Sequence, residues 1–314
     1  MNMKPHFWYD KSHNYHSGDD MHPENPERVR EIVKHLLQTM KGKLTWVVMN
    51  YNRGTVIDDE PNILDIEPPA ETYNTELEGR IEWHKATDGD TYHTKYTRII
   101  CERGIHMLSQ AAEMIAYKGL QCGFIAIRPP GHHVGMNTGS RGFCHLNNVW
   151  LAVEEFYKRR VRNVAILDWD VHHGDGTENC VRECIRRMPT IRFVSMHAYG
   201  RDIYPGTGAD SEDANVLNIA LPKGTKATEY LHAFRTRAIP YLGKPDVLIV
   251  SAGYDAHFSD PMQYMKLRSG TYGIMSADLK ETMGCPVLFI LEGGYCPEAL
   301  AESVGETLKP WVTE

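Results

Sequence analysis

Acidic and imidazole side chains alternate at one point of the chain. Asp168, Asp170 and His172 are separated by single residues, and in an extended strand residues two apart project to the same side. Two carboxylates and one imidazole are ligand types that bind a divalent cation, so the spacing predicts a metal site. The alternative, a strand end with helix-capping aspartates, stays open for Asp175, whose short acidic side chain precedes a predicted helix starting at Thr177.

The adjacent histidines His132 and His133 indicate acid–base chemistry. Hydrolysis of an amide needs one group that takes a proton from the attacking water and one that gives a proton to the leaving amine. Two imidazoles divide that work when each is oriented by a carboxylate, and Asp168 and Asp175 are the available partners. Tyr295 follows two glycines, which permit close backbone approach, and a phenol is a good oxyanion donor. Taken alone, however, a tyrosine after Gly-Gly is more often structural.

These side chains require a scaffold that brings distant parts of the chain together. Short apolar, β-branched runs alternate with segments of helical spacing, and this alternation indicates a parallel sheet covered on both faces. The predicted strands are 45–49, 122–127, 163–168, 190–197, 216–219, 246–251 and 286–291. The predicted helices are 27–40, 97–117, 148–160, 177–187, 227–242, 269–283 and 297–308, the last with Pro297 at its first position.

Four predicted strands end just before a chemically active side chain: His132, Asp170, Asp255 and Tyr295 each follow a different strand. Open α/β sheets bind ligands at the carboxyl edge of their strands, so we expect these groups to meet. The sequence therefore predicts one α/β domain over residues 1–314. Its core would be a mostly parallel sheet of about eight strands with helices on both faces. The segment 58–88 has the poorest pattern and is expected to be loop or short helix.

Composition narrows the functional classes. The chain has 314 residues, 42% of them hydrophobic, so it is not a disordered chain. With 34 basic and 41 acidic residues its net charge is −7, which argues against direct nucleic-acid binding and suits a cationic partner. No run of 18 uncharged apolar residues predicts a membrane span, and residues 1–15 lack the apolar core of a signal peptide.

The cysteines indicate a cellular compartment, and the histidines indicate a type of chemistry. The seven cysteines include no Cys-x-x-Cys pair, and we expect reduced thiols in an intracellular protein. The chain also carries 16 histidines, an excess that favours metal or acid–base chemistry.

In chain order, the motifs resemble those of the zinc-dependent histone deacetylase family of the arginase/deacetylase superfamily, and most closely its class II branch. The resemblance covers nearly the whole chain and is weakest over 42–88. It is carried by His22-Pro-Glu-Asn-Pro-Glu-Arg28, Arg128–His133, Gly142-Phe143-Cys144 with Asn147-Asn148, Asp168–Gly176, Tyr204-Pro-Gly-Thr-Gly208, Gly253-Tyr-Asp255, Asp260-Pro-Met262 and Glu292-Gly-Gly-Tyr295.

The resemblance implies an arginase/deacetylase-like fold and hydrolysis of the N6-acetyl-lysine amide to lysine and acetate. It implies one catalytic zinc ion, and Tyr295 would polarise the acetyl carbonyl. His132 and His133 would be the acid–base pair, backed by Asp168 and Asp175 respectively. The implied zinc ligands are Asp170, His172 and Asp255.

The resemblance also implies a narrow channel for the lysine methylenes, flanked by Phe143 and Tyr204, with Gly142 beside them and Met262 near the floor. Asp90 is the candidate rim residue that would hold the substrate backbone. A structural potassium ion is expected at a set of residues that partly uses backbone oxygens. These residues are Asp168, Asp170, His172, Ser195 and Met196.

The implied partners are acetylated lysines of histone tails or other proteins, together with corepressor-type proteins. A role in chromatin and transcription regulation, in nucleus or cytoplasm, would follow. No direct contact with nucleic acid or membrane is expected.

The chain departs from the family pattern at several positions. Phe258-Ser259 precede Asp260 where the family usually has glycine, and His145-Leu146 replaces a second aromatic residue. Tyr204 replaces the phenylalanine that is usual in the family. His257 could be read as a second metal ligand, but we expect it to line the rim.

Three other readings stay open. A deacetylase of acetylated polyamines would carry a gatekeeping Glu where Met262 stands. A non-catalytic scaffold or acyl-lysine reader is disfavoured by the intact ligands and Tyr295. A dimanganese ureohydrolase needs a second pair of aspartates, of which Asp255 and His257 supply a poor version.

Overall fold

The structure is a computed structural model that describes residues 3–19, 21–50, 54–58 and 88–312. Most of the segment 58–88, predicted as loop or short helix, lies outside these residues. In the described part of the chain the strands are β1 (His6–Asp10), β2 (Thr45–Asn50), β3 (Gly54–Asp58), β4 (Cys122–Ala126), β5 (Val164–Asp168), β6 (Arg192–Ala198), β7 (Ser211–Glu212), β8 (Val216–Leu221), β9 (Val247–Ala252) and β10 (Val287–Leu291).

The helices follow the predicted pattern closely. They are α1 (Glu27–Thr39), α2 (Thr97–Lys118), α3 (Asn148–Lys158), α4 (Asp175–Cys184), α5 (Ala227–Ala233), α6 (Ile239–Leu242), α7 (Ser269–Met283) and α8 (Pro297–Leu308). The predicted helix 227–242 is interrupted by a π-helical segment, Phe234–Ala238, which separates α5 from α6. Pro297 begins α8 as expected, because a proline at the first helical position lacks only an amide hydrogen that has no partner there.

The described strands form one ten-stranded sheet in the order β3-β2-β1-β4-β10-β9-β5-β6-β8-β7. All neighbouring pairs are parallel except β2 with β3 and β8 with β7. The prediction of a mostly parallel sheet is confirmed, and all seven predicted strands are present. The prediction of about eight strands was low because it omitted β1, β3 and the two-residue β7.

Helices cover both faces of the sheet, as predicted. One buried apolar cluster packs α1, α7 and α8 against the sheet, and the other packs α2, α3 and α4. Strand β1 contributes side chains to both clusters: Phe7 and Tyr9 belong to the first cluster and Trp8 to the second. Successive side chains of a strand point to opposite faces, so an uninterrupted apolar run suits a strand buried on both sides.

Within the described residues, no helix has the length and apolar character needed to cross a membrane.

A buried ion network ties the segment before α1 to the ends of β4 and β10. Glu24 accepts hydrogen bonds from Arg28 at 3.1 Å and from Arg128 Nη2 at 2.8 Å, and none of the three side chains is exposed. Arg28 also donates to the carbonyl oxygens of Gly294 and Glu292. Burial alone would raise the pKa of Glu24, but the Arg128 and Arg28 charges hold it well below its usual range. The carboxylate therefore stays ionised in the interior.

Removal of Arg128 should destabilise the fold because Glu24 would lose a charged partner in the interior. We expect Arg128→Met to lower the free energy of unfolding by about 3–5 kcal/mol, the cost of breaking a buried ion pair. Urea titration followed by circular dichroism measures this. The matched control is Arg235→Met, which removes an exposed partner of Asp278 and should cost less than about 1 kcal/mol. Equal losses of unfolding free energy in the two variants would contradict the conclusion that the buried Glu24–Arg128 pair stabilises the fold.

Candidate metal centre and active site

The predicted chemistry meets at one edge of the sheet. Strands β4, β10, β9 and β5 are consecutive neighbours, and their carboxyl ends lead to His132, Tyr295, Asp255 and Asp170. Because these strands are parallel, the segments that follow them leave the sheet at the same edge. The prediction that four separate strands deliver side chains to a common place is confirmed.

Asp170, His172 and Asp255 form a buried cluster that could hold a metal ion. One ligand atom from each lies within 4.8 Å of the others. His172 Nδ1 is 3.0 Å from Asp170 Oδ1 and 3.0 Å from Asp255 Oδ2. The second oxygen of each carboxylate is fixed by the backbone, since Gly293 N donates to Asp170 Oδ2 at 2.8 Å and Val171 N to Asp255 Oδ1 at 2.8 Å.

The donor set fits a zinc ion. Asp255 Oδ2 is buried and makes no hydrogen bond of normal geometry, a costly state for a carboxylate oxygen unless a cation faces it. Two carboxylates and an imidazole are ordinary zinc ligands. Gly253 and Gly293 lack the Cβ atom that would otherwise press on the carboxylate oxygens of Asp170. The glycines therefore let the backbone close around the cluster.

The pKa shifts in the cluster reflect this crowding of negative charge. Burial and the Asp170 charge raise the pKa of Asp255 to about 6. Burial alone would lower the pKa of His172, but the carboxylates of Asp255 and Asp170 raise it to about 10. Without a metal, the buried carboxylates thus draw a proton onto the imidazole. A bound cation would take over that compensating charge.

His132 and His133 are each oriented by the predicted carboxylate. His132 Nδ1 lies 3.0 Å from Asp168 Oδ2, and His133 Nδ1 lies 2.7 Å from Asp175 Oδ1. The rings pack with their centroids 4.1 Å apart. Asp175 begins α4, and its side chain bonds His133 and Arg141.

The two histidines differ in proton affinity. Burial disfavours the charged form of His132, but the charges of Asp170 and Asp168 outweigh it and raise the pKa well above its usual value. Burial lowers the pKa of His133 to about 3, and the charge of His132 adds to the shift. With no cation to offset the Asp170 charge, His132 therefore favours the protonated form while His133 stays neutral.

Tyr295 lies beside the cluster on the loop after β10. Its amide donates to Asp260 Oδ2 at 2.6 Å, its ring meets Phe143 edge-on at 5.6 Å, and the Arg28 guanidinium lies over the ring at 5.0 Å. Desolvation raises the pKa of the phenol well above its ordinary value. The hydroxyl therefore remains protonated and able to donate. The other oxygen of Asp260 accepts from Met262 N at 3.0 Å. The Asp260 carboxylate thus links the backbones of Met262 and Tyr295.

The predicted channel residues surround this site. Gly142 and Phe143 form a turn with φ of 55° and 67°; a Cβ at Gly142 would press on the His133 ring. Tyr204 packs edge-on against His133 at 4.9 Å.

The structure places Asp90 at the surface, where its backbone oxygen accepts from His22 at 2.9 Å. It is the carboxylate of Asp88 that fastens the turn at Gly142, accepting from Gly142 N at 2.6 Å. The role predicted for Asp90 toward substrate stays a prediction.

The residues expected to bind potassium also cluster. Asp168 and Ser195 are register partners on β5 and β6, and Met196 follows, with its carbonyl 3.4 Å from the Tyr230 hydroxyl. Asp168 accepts from Asp170 N at 3.0 Å. The arrangement brings the predicted residues together, and the ion itself stays a prediction.

The expectation that His257 lines the rim was wrong. His257 is buried, accepts from Ser259 N at 3.2 Å and lies 3.3 Å from Ser269 Oγ, so neither ring nitrogen faces the metal cluster. The chain has left strand β9 at Ala252, and the alternation that would align His257 with Asp255 no longer applies. Phe258 is the exposed residue of this loop. His145 is likewise buried, between Ser140 and the Tyr92 carbonyl.

Sequence reasoning did not assign a role to Glu292, although its motif was recognised. The side chain is fully buried, and its Oε2 accepts from Gly131 N at 2.7 Å and His132 N at 3.1 Å. Burial raises the pKa of Glu292 to about 7. The residue fixes the backbone that carries His132. Its position directly before the Gly-Gly pair, at the end of β10, was the signal that pointed to the site.

The fold and the site together define a protein class, and sequence comparison identifies it. Residues 22–310 match the family described as Histone deacetylase domain. The chain therefore belongs to the histone deacetylase family, which confirms the resemblance. Deacetylases are hydrolases that act on amide bonds, so this is a hydrolase domain.

Comparisons with individual proteins support the family membership. The chain is 33% identical over 329 residues to Histone deacetylase 10, chloroplastic, of Oryza sativa, covering 94% of this chain and 70% of that protein. It is 37% identical over 205 residues to Histone deacetylase 14, chloroplastic, of Arabidopsis thaliana, covering 61% and 47% respectively. The crystal structure of the HDA15 HD domain superposes with a TM-score of 0.79 at 25% identity, covering 98% of this chain and 91% of that one. Matches thus span about half to 70% of the length of the first curated relatives.

The metal assignment predicts that Asp170→Asn loses zinc. An amide cannot replace the anionic ligand, and the His172 imidazole would lose the carboxylate oxygen 3.0 Å away. Metal analysis of purified protein measures the zinc-to-protein ratio. The control is Asp213→Asn, a half-exposed partner of Arg182, which should keep the wild-type ratio. Stoichiometric zinc in Asp170→Asn would overturn the assignment.

Proposed function

We propose that this chain is a zinc-dependent protein lysine deacetylase that hydrolyses N6-acetyl-lysine in histones or other proteins to lysine and acetate. The observation that carries the proposal is the buried Asp170, His172 and Asp255 cluster beside two carboxylate-oriented histidines. We take residues 1–314 as one catalytic domain. A zinc ion held by the three ligands would polarise the acetyl carbonyl and make the attacking water more acidic.

The histidines divide the proton transfers. His133 directs Nδ1 at Asp175, which leaves Nε2 to accept the proton of the attacking water. His132 is held by Asp168, which orients it to give a proton to the leaving lysine nitrogen. Water adds to the acetyl carbon, the C–N bond breaks, and the products are acetate and lysine.

Tyr295 is the oxyanion donor of the proposal. Its phenol stays protonated, and its backbone is held by Asp260 at one side and by the Arg28 bond to the Gly294 carbonyl at the other. A donor fixed before the reaction stabilises the developing charge without reorganisation.

Substrate binding is assigned to the channel lined by Phe143, Tyr204, Gly142 and Met262, with Asp90 at the rim. The net charge of −7 suits lysine-rich segments of partner proteins. Corepressor-type partners and a structural potassium ion at Asp168 and its neighbours belong to the same proposal. They are supported by family membership and by the clustering of the implied residues.

An intracellular setting, in nucleus or cytoplasm, belongs to the proposal as well. It is supported by the seven cysteines, which are all free thiols, five of them buried.

Substrate class is tested by comparing acetate release from an acetyl-lysine peptide with release from an N-acetylated polyamine. Met262 stands where a polyamine enzyme would need a carboxylate, so we expect the peptide to be the faster substrate. Faster polyamine hydrolysis would overturn the proposed substrate. Peptide binding without acetate release, in zinc-replete protein, would show a reader instead of an enzyme.

Tyr295→Phe tests the oxyanion role. The phenyl ring keeps the packing against Phe143 but loses the donor, so turnover of the peptide should fall by more than about tenfold with zinc content unchanged. Initial rates and metal analysis on one preparation measure both. The control Tyr157→Phe removes a partly exposed phenol that bonds the Arg187 carbonyl and should leave turnover unchanged. Near-normal turnover of Tyr295→Phe would remove Tyr295 from the mechanism.

A further inference from the structure

Arg141 makes contacts that the sequence did not reveal. Its Nη1 lies 3.1 Å from Asp175 Oδ2, and its Nε donates to the Tyr204 hydroxyl at 3.1 Å. The guanidinium side chain is only 29% exposed. A planar guanidinium can bind two partners in fixed directions at once, so Arg141 joins Tyr204 to the carboxylate that orients His133.

The side chain of Arg141 contacts Tyr204 on one side of the proposed channel, whereas its backbone belongs to the turn that carries Phe143 on the other side. Arg141 and Cys144 exchange two backbone hydrogen bonds, at 3.0 Å and 2.9 Å, which close the turn that carries Phe143. Both central residues of this turn, Gly142 and Phe143, have positive φ. A left-handed Phe is held there only by surrounding contacts. One such contact is Phe143 N donating to Thr91 Oγ1 at 3.0 Å.

We propose that Arg141 is a positioning residue that sets the width of the acyl-lysine channel. It does so because its backbone closes the turn of the Phe143 wall while its side chain holds the Tyr204 wall. This rests on the proposed function, since the channel is assigned to acyl-lysine. It also explains why a tyrosine stands at position 204, where a hydroxyl is needed for the Arg141 contact. The partner of that hydroxyl is a charged donor, which makes the hydrogen bond stronger than one between neutral groups.

A double-mutant cycle tests the contact. Arg141→Met and Tyr204→Phe should each raise the KM for an acetyl-lysine peptide about two- to tenfold, the size of one lost hydrogen bond. The double variant should show no more than the larger single effect, because the same contact is lost in both. Arg141→Lys should lie between wild type and Arg141→Met, since an ammonium group reaches one partner but not both.

Controls separate positioning from general damage. Zinc content should be unchanged in every variant. Arg235→Met, which removes an exposed arginine paired with Asp278, should leave KM unchanged. An unchanged KM in Arg141→Met, or single effects that multiply in the double variant, would overturn the inference.

Failure of the proposed function gives a different pattern. If the wild type binds a fluorescent acetyl-lysine peptide but releases no acetate, only the activity is wrong. The same cycle measured by anisotropy must then be non-additive in Kd, and additive Kd effects would overturn the inference. If the wild type neither binds nor hydrolyses the peptide, the channel assignment fails and the inference fails with it.

Discussion

The rest of the site depends on the burial of acidic side chains at one edge of the sheet. Asp168, Asp170, Asp255, Asp260 and Glu292 are each no more than 1% exposed. Carboxylates in the interior are costly unless hydrogen bonds and positive charges face them. Backbone amides and two imidazoles supply part of that compensation. The remaining deficit of positive charge suits a cation at this edge. It shows as raised pKa values at four of the five carboxylates, Asp168, Asp255, Asp260 and Glu292.

The same constraint explains why distant segments are tied to this edge. Arg28 and Arg128 are fully buried around Glu24, and Arg28 continues to the carbonyl oxygens of Glu292 and Gly294. The first turn of α1, where Arg28 lies, therefore supports the loop that carries Tyr295, far along the chain. A change in either part should be felt by the proposed oxyanion donor.

Much of this could be predicted from the sequence because the signals were local. Seven strands were apolar runs, and residues two apart at a strand end correctly placed Asp170 and His172 in the cluster. The same spacing also placed Asp168 there, but Asp168 faces His132 instead. The third member, Asp255, was implied by the family resemblance. Strand β1 was missed because its aromatic residues lie between histidine and aspartate, in a segment that looks polar overall. The expectation that His257 lines the rim failed because its ring is buried, while the neighbouring Phe258 is the exposed residue of the loop. Arg141 carried no signal, since its partner Tyr204 is 63 residues away and only the fold brings them together.

Zinc titration of metal-free protein tests the central claim most directly. Acetate release from an acetyl-lysine peptide should rise with added zinc and level off at one zinc ion per chain, because the described residues contain one Asp–His–Asp cluster that could hold the ion. The melting temperature should rise over the same range, since a cation relieves the buried carboxylates. Full activity in metal-free protein, or a plateau only at two ions per chain, would contradict the account.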